Sequence, residues 1–361
     1  MRLGLSAALA FALATVLTGC AADTSPVASP STPDDTRVSV LPLARSVDTA
    51  DRTPAPTTAQ STTAAPTTST TVAATVEQGS TASRPTATCA RPAKPLTTPS
   101  GRHLILRPAA SRSPAPTIIV MHGYTGTPQA IEKFSELTHL ANVDGVAVMY
   151  PEGTPTATGG FGWNSGAGLF STSGTDDVEA LSEIIDVAVG TGCVDRQRMV
   201  ISGESNGAGM ALVALCDARL ENTFAAAVLV IPAVDDAVLA HCSPSNAVPI
   251  GVSVVVGELD QTVGFADGRP PFLPAEQWFE TMASAVNHCP PQVPPPNQID
   301  AFVERLDMSG CAACTEMFEI ADGTHTWPGS SRGTGGQTPG TFALNRRLVD
   351  LALHPDQTCL A

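Results

Sequence analysis

From Cys89 onward the chain alternates short apolar runs with longer stretches whose apolar residues recur at helical spacing. Met199, Val200, Ile201 and Ser202, bounded by Gly203, are short and β-branched enough for a buried strand, and Gly209–Arg219 reads as a helix. Thr117–Met121, the run that starts at Pro249 and ends at Gly257, and Thr315–Ile320 read as further strands. Helical periodicity predicts helices over 176–189, 275–289 and 341–353. Strands and helices in alternation over residues 89–361 predict one α/β domain built on a doubly wound, mostly parallel sheet.

The pattern ahead of Cys89 is different. "MRLGLSAALAFALATVLTGC" has a basic start at Arg2, an apolar run and then Leu17-Thr18-Gly19-Cys20, which resembles a bacterial lipoprotein signal. Residues 1–19 are then a signal peptide and Cys20 the lipidated first residue; an ordinary secretory signal that leaves Cys20 free is the alternative. The apolar run falls short of the roughly 20 residues a spanning helix needs. Residues 20–88 are rich in Thr, Ser, Pro and Ala with few large apolar side chains, so nothing offsets the entropy of ordering them. A disordered tether, open to O-glycosylation, is expected there. The protein is expected on the outer face of a bacterial membrane, or secreted.

Charge and cysteine content narrow the classes. A formal net charge of −15 with no basic stripe argues against a nucleic-acid partner and against polybasic attachment to anionic lipid, leaving Cys20 as the membrane contact. Eight cysteines remain beyond Cys20, an even number that suggests up to four disulfides in an exported chain. Cys311-Ala312-Ala313-Cys314 could instead bind metal with a nearby histidine, but no second close pair accompanies it, and no metal site is expected.

Candidate chemistry centres on Gly203-Glu204-Ser205-Asn206-Gly207. This G-x-S-x-G sequence between a strand and a helix is the pattern of a nucleophile elbow, in which small flanking residues let the backbone turn sharply enough to expose the serine. The alternative is a glycine-rich turn with a solvated serine. A serine hydroxyl needs a base, and the base needs an acid to fix its tautomer. In α/β-hydrolases these follow in the order Ser, Asp or Glu, His, each at a strand end. Asp260 ends the strand-like run from Pro249; Asp235, Asp236 and Asp267 compete from loop or turn positions. His325 lies on a loop directly after Thr315–Ile320 and before the last helix. An oxyanion hole needs two backbone N–H donors. Asn206 N–H is one, and Tyr124 N–H, with Thr125 as the alternative, is the second. Trp163 is either a wall of the substrate pocket or loop packing. Asp176 and Asp177 complement a helix N-terminus, and His122 braces its loop.

The elbow, His122-Gly123, "YPEGT" at Tyr150, "GWNSG" at Gly162, "DDVEAL" at Asp176 and "HTWPG" at His325 resemble the secreted esterases that include polyhydroxybutyrate depolymerase-like proteins, feruloyl esterases and acetylxylan esterases. The resemblance runs from about Arg102 to the C-terminal helix. It implies an α/β-hydrolase fold and a monomeric serine esterase that works through an acyl-enzyme without cofactor, on a polyester or an esterified plant polysaccharide. Glu204 and Asp322-Gly323-Thr324 depart from the family pattern. A non-catalytic surface binding module on the same fold is the rival reading. Placement of the cysteines suggests Cys216 with Cys242 and Cys289 with Cys311 or Cys314. Cys89 and Cys359 would then share Cys193 and the remaining member.

Overall fold

The computed structural model describes residues 88–111, 113–166, 174–242, 248–331 and 343–355. The signal peptide, Cys20, the linker and Cys359 lie outside the described residues.

In chain order, β1 (Leu96–Thr97), β2 (His103–Arg107) and β3 (Ala115–Met121) lead to α1 (Pro128–Ser135), α2 (Leu137–Val143) and β4 (Ala147–Pro151). A small hairpin of β5 (Thr154–Pro155) and β6 (Phe161–Gly162) precedes α3 (Asp177–Gly190) and β7 (Val194–Glu204). Next come α4 (Asn206–Cys216), β8 (Ala226–Val230), α5 (Asp236–Ala240), β9 (Gly251–Gly257) and α6 (Ala275–Asn287). β10 (Asn297–Gln298), β11 (Val303–Asp307), β12 (Thr315–Ile320) and α7 (Leu344–Leu353) close the domain.

The main sheet has ten strands in the order β1-β2-β4-β3-β7-β8-β9-β12-β11-β10. Its centre, β4 through β12, is parallel, and the pairs at both edges are antiparallel. Alternation along β3 explains why helices cover both faces: Ile119 and Met121 enter the core that includes Leu181 and Ile184 of α3 and Leu212 of α4, whereas Ile118 and Val120 enter the core with Ile131, Leu137, Leu348 and Val349. Each fully buried side chain of this size stabilises the fold by about 2 kcal/mol.

The expected strands and helices are present with shifted ends. α4 begins at Asn206 rather than Gly209, because two glycines that would normally weaken a helix sit where nothing larger fits. A Cβ on Gly207 would lie 2.5 Å from the Met121 carbonyl oxygen, and one on Gly209 would lie 2.6 Å from that of Ala233. The helix ends at Cys216 rather than Arg219, since Asp217 turns extended and its carboxylate caps a separate 3-10 turn, Ala218–Leu220. β7 starts at Val194, upstream of the apolar run, because polar residues 195–198 continue the strand beside β3 across a register shift.

Among the described residues disulfides join Cys89 to Cys193, Cys216 to Cys242 and Cys289 to Cys311, the second the expected pair and the others each one of the expected alternatives. Cys314 is disulfide-bonded as well. No described helix is long and apolar enough to cross a membrane.

Candidate active site

Ser205 joins the end of β7 to the start of α4 with φ 55° and ψ −117°, a conformation that costs an L-residue about 1–3 kcal/mol. The strain is held from both sides. Ser205 N–H donates to the Val230 carbonyl of β8 at 3.0 Å, and the Ser205 carbonyl accepts from Ala208, Gly209 and Ala233. The flanking glycines are steric necessities: a Cβ on Gly203 would stand 2.5 Å from Gly207 backbone atoms. G-x-S-x-G is thus the sequence trace of a turn in which two backbones touch.

Asp260 follows β9 and His325 follows β12. His325 Nδ1 and Asp260 Oδ2 are 2.7 Å apart. The other carboxylate oxygen accepts from Thr262 N–H at 2.7 Å and Val263 N–H at 3.0 Å. Burial alone would raise the pKa of Asp260, but the His325 hydrogen bond and charge and the two backbone donors outweigh it, and the group sits below the usual carboxylate range. An ionised carboxylate only accepts, so Nδ1 of His325 carries the proton and Nε2 of the neutral ring is left as the base.

The loops that carry Asp260 and His325 are laced together. Glu258 N–H donates to Ile320 O and Leu259 N–H to Gly323 O. Contact this close demands glycine on both sides, since a Cβ on Gly257 would lie 2.4 Å from Gly323 O. Gly323 therefore has a steric role that spacing alone does not reveal.

The loop after β3 carries the expected second oxyanion donor. Gly126 N–H closes it onto Gly123 O, and Thr125 takes φ 62°. Thr127 then caps α1 by accepting from Ala130 N–H, with Pro128 opening the helix. His122 is 1% exposed and lies beneath this loop. Its Nδ1–H donates to Gly123 O at 2.8 Å and its Nε2 accepts from Gly153 N–H at 3.1 Å. Burial pushes its pKa down to about 4, so the ring is a neutral brace.

Trp163, expected as a pocket wall or as packing, is the latter. It is wholly buried, 5.3 Å from the His122 ring, donates from Nε1 to His122 O at 2.9 Å, and stands outside the residues lining the cavity. Asn206 holds it: its side chain accepts from Trp163 N–H at 2.7 Å and donates to Trp163 O at 2.9 Å. The side chain is thereby committed to packing, while the Asn206 N–H stands at the first turn of α4, where helix donors lack intrahelical partners. Asp176 caps α3 as expected, accepting from Val178 and Glu179 N–H. Asp177 does more than complement a helix dipole. Buried, it binds Arg102 at 2.6 Å, the Thr154 hydroxyl at 2.9 Å and Asn164 N–H at 2.6 Å, and so anchors the hairpin region to α3. Asp235, a rival for the acid, instead caps α5.

Ser205 and His325 open onto one cavity of about 920 Å³, walled by Tyr124, Ile131, Phe134 and Phe272. α1 presents Ile131 and Phe134 to it, so the helix that follows the Tyr124 loop also supplies an apolar wall. Among the described residues no group of three His, Cys, Asp or Glu is placed to hold a metal.

A doubly wound sheet with a strained serine between its central strand and the following helix defines an α/β-hydrolase. Residues 101–246 match the family model described as Esterase PHB depolymerase, a stretch that runs from just before β2 through the elbow to beyond α5. The matched stretch contains Ser205 and ends before Asp260 and His325. Among solved structures, the acetyl xylan esterase of Aspergillus awamori is 13% identical with a TM-score of 0.48, over 64% of this chain and 93% of its own. An S-formylglutathione hydrolase from Agrobacterium tumefaciens is 13% identical with a TM-score of 0.49, over 74% of this chain and 94% of its own. The Bacillus cereus carboxylesterase is 17% identical with a TM-score of 0.43, over 72% and 95%. No curated protein matches the chain.

Proposed function

We propose that the protein is an exported serine carboxylic-ester hydrolase that works through Ser205, His325 and Asp260. The observation that carries this reading is a serine at positive φ facing the same cavity as a histidine whose far nitrogen is bound to a buried carboxylate. Ser205 Oγ attacks the ester carbonyl as His325 Nε2 takes its proton; the negative charge that develops on the carbonyl oxygen is met by the N–H groups of Asn206 and Tyr124. Collapse of the tetrahedral intermediate breaks the ester C–O bond, and His325 returns the proton to the leaving alcohol. Water, activated by the same imidazole, then releases the acid from the acyl-enzyme. Asp260 fixes the tautomer and stabilises the imidazolium. The substrate is the ester of a polyester or of an acylated polysaccharide, its acyl part seated between α1 and Phe272. Disulfides among Cys89, Cys193, Cys216, Cys242, Cys289 and Cys311 support an oxidising compartment.

A fluorophosphonate probe tests the reading. The purified protein should be labelled at Ser205, and Ser205→Ala and His325→Ala should each lose about 10⁴-fold or more in ester turnover. An unlabelled wild-type protein with no ester turnover overturns it in favour of a binding module.

A further inference from the structure

Glu204 is the residue of the elbow whose chemistry the reaction above leaves unused. It ends β7, directly before Ser205, and lines the same cavity. Its Oε2 accepts from Gly123 N–H at 3.2 Å, across the cleft between the elbow and the loop that carries Tyr124. The fit is close, since a Cβ on Gly123 would lie 2.7 Å from that oxygen. Among the described residues no lysine or arginine lines the cavity, so the basic group that a carboxylate here faces is the His325 imidazole.

We propose that Glu204 is a positioning and substrate-selecting residue: one carboxyl oxygen holds the Gly123–Tyr124 loop against the elbow, while the carboxyl group as a whole makes the cavity reject esters with anionic acyl groups. The inference rests on the ester-hydrolase reading and adds a preference for neutral or cationic acyl chains. Burial raises the Glu204 pKa above the ordinary value, and the titratable groups facing it are His325, which lowers it, and Asp260, which raises it. Discrimination against anions therefore strengthens as pH rises and Glu204 ionises. Proton transfer by the His325 imidazole serves two substrates of the same leaving group equally, so its contribution cancels in their ratio.

The test compares kcat/KM for two p-nitrophenyl esters of equal acyl length, one ending in a methyl group and one in a carboxylate. Wild-type protein should prefer the neutral ester, increasingly so with rising pH. Glu204→Gln keeps an acceptor for Gly123 N–H and removes the charge. It should shift the ratio toward the anionic ester by about tenfold, the order expected for like charges a few ångströms apart in a cavity partly open to water, and should flatten the pH dependence of that ratio. Glu204→Ala removes both functions and should lose more kcat on the neutral ester than Glu204→Gln does. A Glu204→Gln ratio equal to wild type at every pH overturns the selecting role, and equal kcat in the two variants overturns the positioning role. Rapid probe labelling of Ser205 in all three proteins with an unchanged ratio locates the failure at Glu204; absence of labelling in the wild type overturns the ester-hydrolase reading beneath it.

Discussion

Asp260 spends both oxygens on fixed donors, one on His325 and one on two backbone N–H groups, so it is built to stay ionised and to keep one ring orientation. Asp260→Asn should leave the fold intact and cut kcat by about 10⁴-fold, because an amide can donate to Nδ1 and impose the wrong tautomer. Near-normal turnover in that variant, with folding checked by circular dichroism, would remove Asp260 from the mechanism. His122 makes the opposite case, a buried histidine kept neutral. Its pKa rises from about 4 in the folded state to 6.5 when exposed. Between those values the unfolded chain binds a proton that the folded chain does not, so stability falls as pH drops from 6.5 toward 4 and is unaffected by this group above 6.5. The loss amounts to about 3 kcal/mol at the acid end. Denaturant titrations of wild type and His122→Gln at several pH values measure it: the variant should lack this part of the acid slope.

At the scale of elements, the site depends on two loops meeting at Gly257 and Gly323. Gly257→Ala drives a methyl group into the Gly323 carbonyl, 2.4 Å away in the present geometry, and one loop must retreat. We expect a stability loss of about 1–3 kcal/mol, as for other overpacked contacts, with a larger proportional fall in kcat than in thermal stability, because the Asp260–His325 pair moves with the loops. Unchanged kinetics and melting temperature would show that the loops relax freely. The elements themselves were largely legible in the sequence: apolar periodicity located β3, β9, β12, α3 and α6, and the order Ser205, Asp260, His325 followed from their placement at strand ends. What periodicity could not carry was information held by close approach. Gly207 read only as a small flank of the elbow and Gly209 as the first helical residue, and their steric roles emerge from the Met121 and Ala233 carbonyls beside them. Trp163, on a loop between glycines, gave no sign whether it faced ligand or core. Asp177 read as half of a capping pair because its partners Arg102, Thr154 and Asn164 are distant in sequence.

For the whole molecule, the question is how a strongly acidic enzyme is kept at its place of work. A charge of −15 disfavours attachment to anionic surfaces, and we propose that covalent lipid at Cys20 holds the protein at a membrane. We expect the protein from a lipoprotein-competent host to partition into detergent and Cys20→Ala to move it to the aqueous phase. A wild-type protein already in the aqueous phase would refute the anchor. The Cys89–Cys193 bridge closes a span of 104 residues and ties the start of the described chain to the residue just before the strand that ends at the elbow, a constraint worth about 5 kcal/mol in chain-entropy terms.

The lacing of the Asp260 and His325 loops has a mechanical consequence. Backbone bonds from Glu258 and Leu259 make the acid and the base parts of one rigid piece, carried by β9 and β12, whereas the nucleophile rides on β7 and α4 on the far side of β8. A shift of one half of the sheet against the other along β8 would leave the Asp260–His325 hydrogen bond intact and change the separation between the Ser205 hydroxyl and the His325 imidazole. Under the proposed mechanism turnover would follow that one coordinate, and substitutions in helices that wedge the halves together or apart should change the rate without touching any group that handles the substrate.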